Sequence, residues 1–327
     1  MKSSKKAMKE AASRAVLDGF VRTIRTFESR FNIAKALIGE PDWGLYVPEL
    51  YLSNPEPILA PQQHGSFFDN SYSGKSVTVC VIGDAHDSPH LPDKSRFKVL
   101  GRWANSMCPD YVIQLGDWGT FDSFNRYTER GSYESQLLPT WKQDLESLEE
   151  SIQAFEDGFS GGDSIKWITT GNHENRAARY ENSDPRLRDT IVPAWQEKFI
   201  SREWNLKPYQ EYLFVEGVGF IHHVTNGMGK AFGGVTANQR AASESVFSVV
   251  HGHDHKLEFA TRAKIGPSRP VEMISAGCAL PQNYVEPYAK HATTGWFWGT
   301  LFVKIRNGEI LDKSAISMET LYEIYGN

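Results

Sequence analysis

The spacing of apolar residues changes along this chain, and the changes mark its parts. Phe20, Ile24, Phe27 and Phe31 step by four and three inside a basic segment, which predicts one or two amphipathic helices over about 7–38. Pro41, Pro48, Pro55, Pro57 and Pro61, followed by Gly65 and Gly74, interrupt any regular element, so 41–75 is expected to be a linker or strap. From Ser76 strand and helix patterns alternate. Val77–Ile82 and Tyr111–Leu115 read as buried strands with a helix-like stretch, 93–106, between them, the signature of a parallel pair joined by a right-handed crossover. Trp141, Leu145, Leu148, Ile152, Phe155 and Phe159 keep steps of four and three without a miss, predicting a helix ahead of a strand at 165–169. Tyr212–Glu216 and Val218–Val224 read as a hairpin around Gly217, and Val246–Val250 as another strand. The end of the chain, Pro270 to Ser317, is strand-rich, with Arg306-Asn307-Gly308 as a hairpin turn. The architecture expected is α/β: two packed sheets flanked by helices.

Composition narrows this picture in three ways. A chain of 327 residues with 40% hydrophobic and 12% aromatic content can bury one large α/β core, alone or with an appendage. Cys80, Cys108 and Cys278 form no close pair and no metal-ligand spacing, which argues against a disulfide framework or zinc ribbon and for a reducing, cytoplasmic setting. The basic N-terminus lacks the apolar core and cleavage site of a secretory signal, and no apolar run is long enough to span a bilayer. Net charge is −5, yet residues 1–36 hold nine Lys/Arg against three Asp/Glu, a balance of +6 that leaves −11 for the remainder. Only that first segment has an evident attraction to polyanions such as nucleic acid.

Five polar clusters follow the predicted strands in order: Asp84-Ala85-His86, Gly116-Asp117, Gly171-Asn172-His173-Glu174, His222-His223 and Gly252-His253-Asp254-His255. Each alone is weak, since a Gly-Asp after a strand is usually a turn and a His-x-His usually a loop. Five in succession at strand ends, where open α/β folds collect ligands, supply the oxygen and nitrogen donors that hold two divalent ions. Asp84 and His86 can reach one ion from a single strand end. Asp117 can bridge two cations, and Asn172, His223 or His222, and His253 could complete the second ion, with His255 completing the first.

The succession resembles the calcineurin-like metallophosphoesterase superfamily over roughly 76–256. The later segment with Gly277-Cys278, Tyr284, Gly295-Trp296 and Trp298 is similar to the closing strands of phage-encoded members. The resemblance implies a four-layer αββα sandwich of two mixed sheets, here over 76–327, preceded by the helical arm at 1–40 and the strap at 41–75. It implies a dinuclear centre, Mn first, with Fe, Zn, Ni or Mg as alternatives. Carried over by position, Asp84, His86 and His255 bind the first metal, Asp117 bridges, and Asn172, His223 and His253 bind the second. His173 matches the histidine that protonates the leaving oxygen or stabilises the phosphoryl group, and hydroxide activated by the metals is the nucleophile. Glu174 is expected to orient the His173 imidazole, and Arg176 to hold a phosphate oxygen.

Departures shape the expected substrate. The Asp117 cluster continues Trp118-Gly119-Thr120 without the Asp-Arg-Gly that follows in protein serine/threonine phosphatases, which turns the reading away from phosphoproteins even though Gly171–Glu174 matches that branch. A phosphodiester in DNA, RNA or a nucleotide is favoured over a small phosphomonoester, and a non-catalytic metal-binding scaffold is the reading from another class. The fourth cluster lacks the usual Gly after its His. His223 is preferred there because it lies closest to the strand's end, with His222 the alternative; adjacent strand residues face opposite ways, so one alone should bind. Asn226–Lys230 fails the phosphate-loop spacing and reads as a rim loop. His251, Asp87 and His90 read as solvated neighbours of the ligands, and Trp296, Trp298 and Tyr284 as core. The N-terminal arm, through Phe31–Leu37, faintly resembles a DNA-binding helix-turn-helix.

Overall fold

Val77–Ile82 forms a buried strand whose residues alternate between two cores: Cys80 and Ile82 face helices, while Val79 and Val81 face a second sheet. That alternation organises the whole molecule. The computed structural model describes residues 73–129, 131–160, 162–265, 269–286 and 295–326. The chain divides into two units, Met1–Phe67 and Phe68–Asn327, and the described residues belong to the second. The arm expected over 1–40 and all but the end of the strap expected over 41–75 lie outside the described residues.

In chain order the elements are β1 (Val77–Ile82), α1 (Ser95–Met107), β2 (Tyr111–Gln114), α2 (Tyr133–Gln136), α3 (Trp141–Gly158), β3 (Ile165–Thr169), α4 (Glu174–Glu181), α5 (Ile191–Ile200), β4 (Trp204–Lys207), β5 (Leu213–Val215), β6 (Val218–Ile221), α6 (Ala237–Glu244), β7 (Val249–His251), β8 (Leu257–Arg262), β9 (Val271–Ala276), β10 (Gly299–Arg306), β11 (Glu309–Ser317) and α7 (Met318–Tyr325). A six-stranded sheet runs β11-β10-β1-β2-β3-β4, parallel from β1 to β4 and antiparallel at β10 and β11. A five-stranded sheet runs β5-β6-β7-β9-β8, parallel in its centre and antiparallel at both edges.

Three apolar layers separate these elements. Phe97, Leu100 and Trp103 of α1 and Leu148, Ile152 and Phe155 of α3 pack with Trp118 and Trp204 on the outer face of the first sheet. Val81, Ile113, Phe220, Ile274 and Val303 fill the space between the sheets. Ala241 and Ala242 of α6 cover Val249 and Met273 on the far side. The result is the expected αββα sandwich of two mixed sheets.

Local chemistry explains the element ends. Thr140 caps α3 in a capping box with Gln143, a device worth about 1 kcal/mol. A Cβ on Gly101 would lie 2.1 Å from the Phe155 carbonyl oxygen, and one on Gly158 would lie 2.2 Å from that of Lys98. The helices α1 and α3 therefore cross with their backbones in contact. Glu216 and Gly217, both at positive φ, form the two-residue turn between β5 and β6, and Asn307 and Gly308 do the same between β10 and β11.

Two boundaries differ from expectation. The strand expected from Val246 starts at Val249, because the Ser245 hydroxyl donates to the Phe247 carbonyl and holds a turn there. The strand-rich end is interrupted after Ala276, and among the described residues the next strand begins at Gly299.

Candidate metal centre

All five polar clusters lie directly after a strand, and the strands concerned, β1, β2 and β3 in one sheet and β6 and β7 in the other, run parallel to one another within each sheet. Their carboxyl ends meet at one place. His86, Asp117, His253 and His255 all have positive φ, so the backbone in the first, second and fifth clusters is bent to turn these side chains inward. The glycines between them are set by contact. A Cβ on Gly171 would sit 2.1 Å from an Asp117 carboxylate oxygen, and one on Gly252 would sit 2.4 Å from one of Asp84. A backbone without side chain is what lets both carboxylates stand at the centre.

Asp84, His86 and His255 present ligand atoms within 4.8 Å of one another, all buried. His255 Nε2 is 3.1 Å from Asp84 Oδ2 and 3.3 Å from His86 Nε2. Two imidazole nitrogens that close, both aimed at one carboxylate, form a donor set shaped for a cation. Asp84, Asp117 and His222 form a second such group, and His222, His223 and His253 a third. Asn172 Oδ1 lies 2.9 Å from His222 Nε2, and Asp117 Oδ2 lies 3.3 Å from the same nitrogen. Asp117 Oδ2 is also 3.8 Å from His86 Nε2, so this carboxylate stands between the two halves of the site.

The charge balance follows from this crowding. Burial pushes the Asp84 carboxyl up, but His222, His255 and His86 outweigh it and hold it well below the usual range. Asp117 is lowered in the same way, against its burial, by His222 and His173. Burial pulls His86 and His222 down, yet Glu286 and Asp84 for the first, and Asp117 and Asp84 for the second, hold them above the ordinary imidazole value, His222 at about 9. Protons here occupy places that a cation would take.

The pair His222-His223 departs from the expected geometry. Both lie beyond the end of β6, where strand alternation no longer applies, and both rings join the cluster. His222 is the deeper: its Nδ1 donates to the Leu115 carbonyl at 2.9 Å, which points Nε2 at Asn172 and Asp117. His223 stands beside His253, ring centroids 5.0 Å apart, with its Nε2 3.0 Å from the Gln210 amide. Burial, His222 and His253 lower His223 to about 3.

His173 lies 6% exposed at the edge of the cluster. Its Nδ1 is 2.9 Å from the Thr120 carbonyl, a partner that fixes the hydrogen on that nitrogen, and its Nε2 faces Arg176 Nη2 at 3.1 Å. Burial, helped by His86 and Arg176, lowers it to about 3, so the ring here is neutral rather than protonated. Arg176 is held by the Thr120 carbonyl at 3.0 Å and by Asp122 at 3.2 Å, and it therefore reaches the centre through His173.

Glu174 does not orient the His173 ring. It is fully buried and accepts from the backbone N–H groups of Asp117, Trp118, Gly119 and Gly171, so it ties the second and third loops together. Burial and Asp117 push it up to about 7, against those hydrogen bonds. Trp118 is an anchor: its ring packs among Phe97, Phe155, Phe199 and Trp204, and its Nε1 donates to Ser151.

Two of the supposedly solvated neighbours are buried. Asp87 binds Lys94 at 2.6 Å and Ser147 at 2.8 Å beneath the first loop, and His251 Nε2 meets Asn238 Oδ1 at 2.8 Å. His90 is exposed. Trp296, expected in the core, is partly exposed and sets its ring 4.3 Å from that of His255, edge to face. One participant escaped the sequence reading. Glu286 places a carboxylate oxygen 3.1 Å from His86 Nδ1, on the side away from Asp84. It stands alone, 31 residues after His255, without a motif that could have marked it.

Fold and centre define a class: a four-layer α/β protein with Asp, Asn and His side chains grouped to hold divalent metal ions. The family model for calcineurin-like phosphoesterases matches residues 77–257, and the chain belongs to that family. Its activity is thereby that of a metal-dependent phosphoester hydrolase. The crystal structure of TT1561 of Thermus thermophilus is similar over 62% of this chain and 90% of that one, with 7% identity and a TM-score of 0.27. No curated protein matches in sequence. Among the described residues no helix is long and apolar enough to cross a membrane.

Proposed function

We propose that this protein hydrolyses phosphodiesters with a dinuclear metal centre, Mn in the first instance. Asp84, His86 and His255 would hold one ion and Asn172, His222 and His253 the other, with Asp117 shared and His223 bordering the second. The observation that carries the reading is the position of Asp117, within 3.8 Å of His86 on one side and 3.3 Å of His222 on the other. When bound, two cations lower the pKa of a water to near neutrality and offset the charge of a phosphate.

The chain's own residues supply the rest. Leu115's carbonyl and Glu286 fix the rings of His222 and His86, so that Nε2 of each faces inward. Glu174 holds the loop that carries Asp117. Arg176 and His173 stand together at the rim, where a phosphoryl oxygen could take the place of one as partner of the other. Arg176 would turn to neutralise that oxygen, which frees His173 Nε2 to take up a proton and pass it to the leaving oxygen. A diester is favoured over a monoester because the sequence departs from the protein phosphatases at Trp118–Thr120 and opens with a basic segment. A cytoplasmic setting fits the three free cysteines, of which Cys80 and Cys278 are buried.

The test is hydrolysis of bis-para-nitrophenyl phosphate and para-nitrophenyl phosphate after metal stripping and Mn²⁺ restoration, in wild type, Asp117→Asn and His173→Ala. The expected result is metal-dependent turnover, faster on the diester, that falls at least about 100-fold in each variant. Metal binding without turnover of either ester would instead support the scaffold reading.

A further inference from the structure

Beside the centre lies a cleft of about 470 Å³, lined by Ser123, Phe124, Trp141, Tyr180, Leu187 and Thr190 among others. Its size falls within the range of small-molecule sites. Its relation to the centre is set by two parallel contacts. The 3₁₀ turn Asp122–Phe124 runs alongside α4, with Asp122 paired to Arg176 at 3.2 Å and the Phe124 ring 5.0 Å from that of Tyr180. Arg176 and Tyr180 are four residues apart on one face of α4, about 5–6 Å between Cβ atoms. The cleft thus begins one helical turn beyond an arginine that itself touches His173.

The lining suits a planar ring. Phe124 packs against both Trp141, at 4.9 Å, and Tyr180, at 5.0 Å, so three aromatic rings stand together at one end. Tyr180 remains 47% exposed, a large ring left in water at the mouth of the cleft. The hydroxyl-bearing Ser123, Thr140 and Thr190 supply polar groups along the walls. Next to Tyr180, Arg179 is exposed and forms no ion pair among the described residues. A cation and an aromatic cleft one turn from a phosphoester centre match a phosphate with a base attached.

We propose that this cleft is a nucleobase subsite, so that the substrates are nucleobase-bearing phosphodiesters with the base on Tyr180 and the scissile phosphate at Arg176 and His173. The proposal rests on the phosphodiesterase reading and adds to it the chemical class of the ester. Exposed beside Tyr180, Arg179 is the cation available to a further phosphate of a strand, and its contribution separates an oligonucleotide from a mononucleotide as the source of the base.

The test compares two esters with one leaving group, thymidine 5′-(para-nitrophenyl phosphate) and ethyl para-nitrophenyl phosphate, in Mn²⁺-loaded wild type, Tyr180→Ala and Thr190→Trp. The last variant fills the cleft from an exposed position. Wild type is expected to favour the thymidine ester by at least about tenfold in kcat/KM, and both variants to bring the ratio toward one. A wild-type ratio near one, or a ratio unchanged in both variants, overturns the proposal. Binding of fluorescein-labelled thymidine monophosphate and of a labelled single-stranded oligonucleotide in EDTA gives a readout that needs no turnover. Loss of at least about tenfold in affinity in Tyr180→Ala supports the subsite even if the phosphodiesterase reading fails, and unchanged affinity for both probes overturns it. Tighter binding of the oligonucleotide, reduced in Arg179→Ala, would identify a strand rather than a free nucleotide as the occupant.

Discussion

Glu174 shows how much one buried side chain can organise. Its two oxygens accept from four backbone N–H groups in two loops, a demand that only an acceptor with two oxygens and no donor hydrogen can meet. Glu174→Gln replaces one acceptor with an NH₂ group facing N–H donors. The variant is expected to lose about 2–4 kcal/mol of stability, read from urea unfolding, and to loosen metal binding through Asp117. Glu286 acts on a single ring: Glu286→Gln should weaken metal binding about 10–100-fold in calorimetric titration while the unfolding midpoint of the metal-free protein changes little. Asp144 offers a pH test away from the centre. Burial pushes its carboxyl up to about 6, against the hydrogen bond from the Ser123 N–H. The folded state therefore holds a proton that the unfolded chain releases near pH 4, and stability falls as pH rises from about 4 to 6. Asp144→Asn should flatten that fall and be more stable than wild type at pH 7 by about 1–2 kcal/mol, as measured by denaturation at a series of pH values.

Among the elements, the crossing of α1 and α3 is the tightest joint. Gly101 and Gly158 each lie against a carbonyl oxygen of the opposite helix, and neither helix can move away without giving up the packing of Phe97, Trp103 and Phe155. Gly101→Ala improves helix propensity by about 1 kcal/mol. It should nevertheless destabilise the protein by about 2 kcal/mol, because a methyl group cannot fit between two backbones, and thermal unfolding would show which effect wins. The helix stripe from Trp141 to Phe159 was legible from its period. The short elements were not: α4, α6, β4 and β8 are four to eight residues long, too short for a period to stand out, and take their form from neighbours.

At the scale of the molecule, the centre joins the two sheets. Asp84, His86, Asp117 and Asn172 come from the first sheet, and His222, His253 and His255 from loops of the second. A cation bound between them is a tie across the sandwich. Adding Mn²⁺ to the metal-free protein should raise the melting temperature by several degrees, a gain reversed by chelator and absent in Asp117→Asn. A shift of equal size in Asp117→Asn would place the stabilising ion elsewhere.

The sequence by itself pointed to the longer strands of the core, to two packed sheets flanked by helices and to five polar clusters at strand ends, while the four-layer order came from the family resemblance. The strands, sheets and clusters rest on local facts: the period of apolar residues, and polar groups placed immediately after a strand. Only the tertiary structure decided matters that depend on packing between distant segments. Strand alternation allowed one of His222 and His223, with His223 preferred, but the chain leaves β6 before the pair, and the Leu115 carbonyl turns His222 toward Asp117. Glu174 sits beside His173 in sequence, yet serves the loop of Asp117, because the four N–H groups are where its short reach from α4 brings it. Glu286 meets His86 across 200 residues, and the aromatic cleft is assembled from three separate segments. A pattern along the chain carries the period of its own backbone. It carries no record of which distant backbone atoms will need a partner once the sheets close on one another.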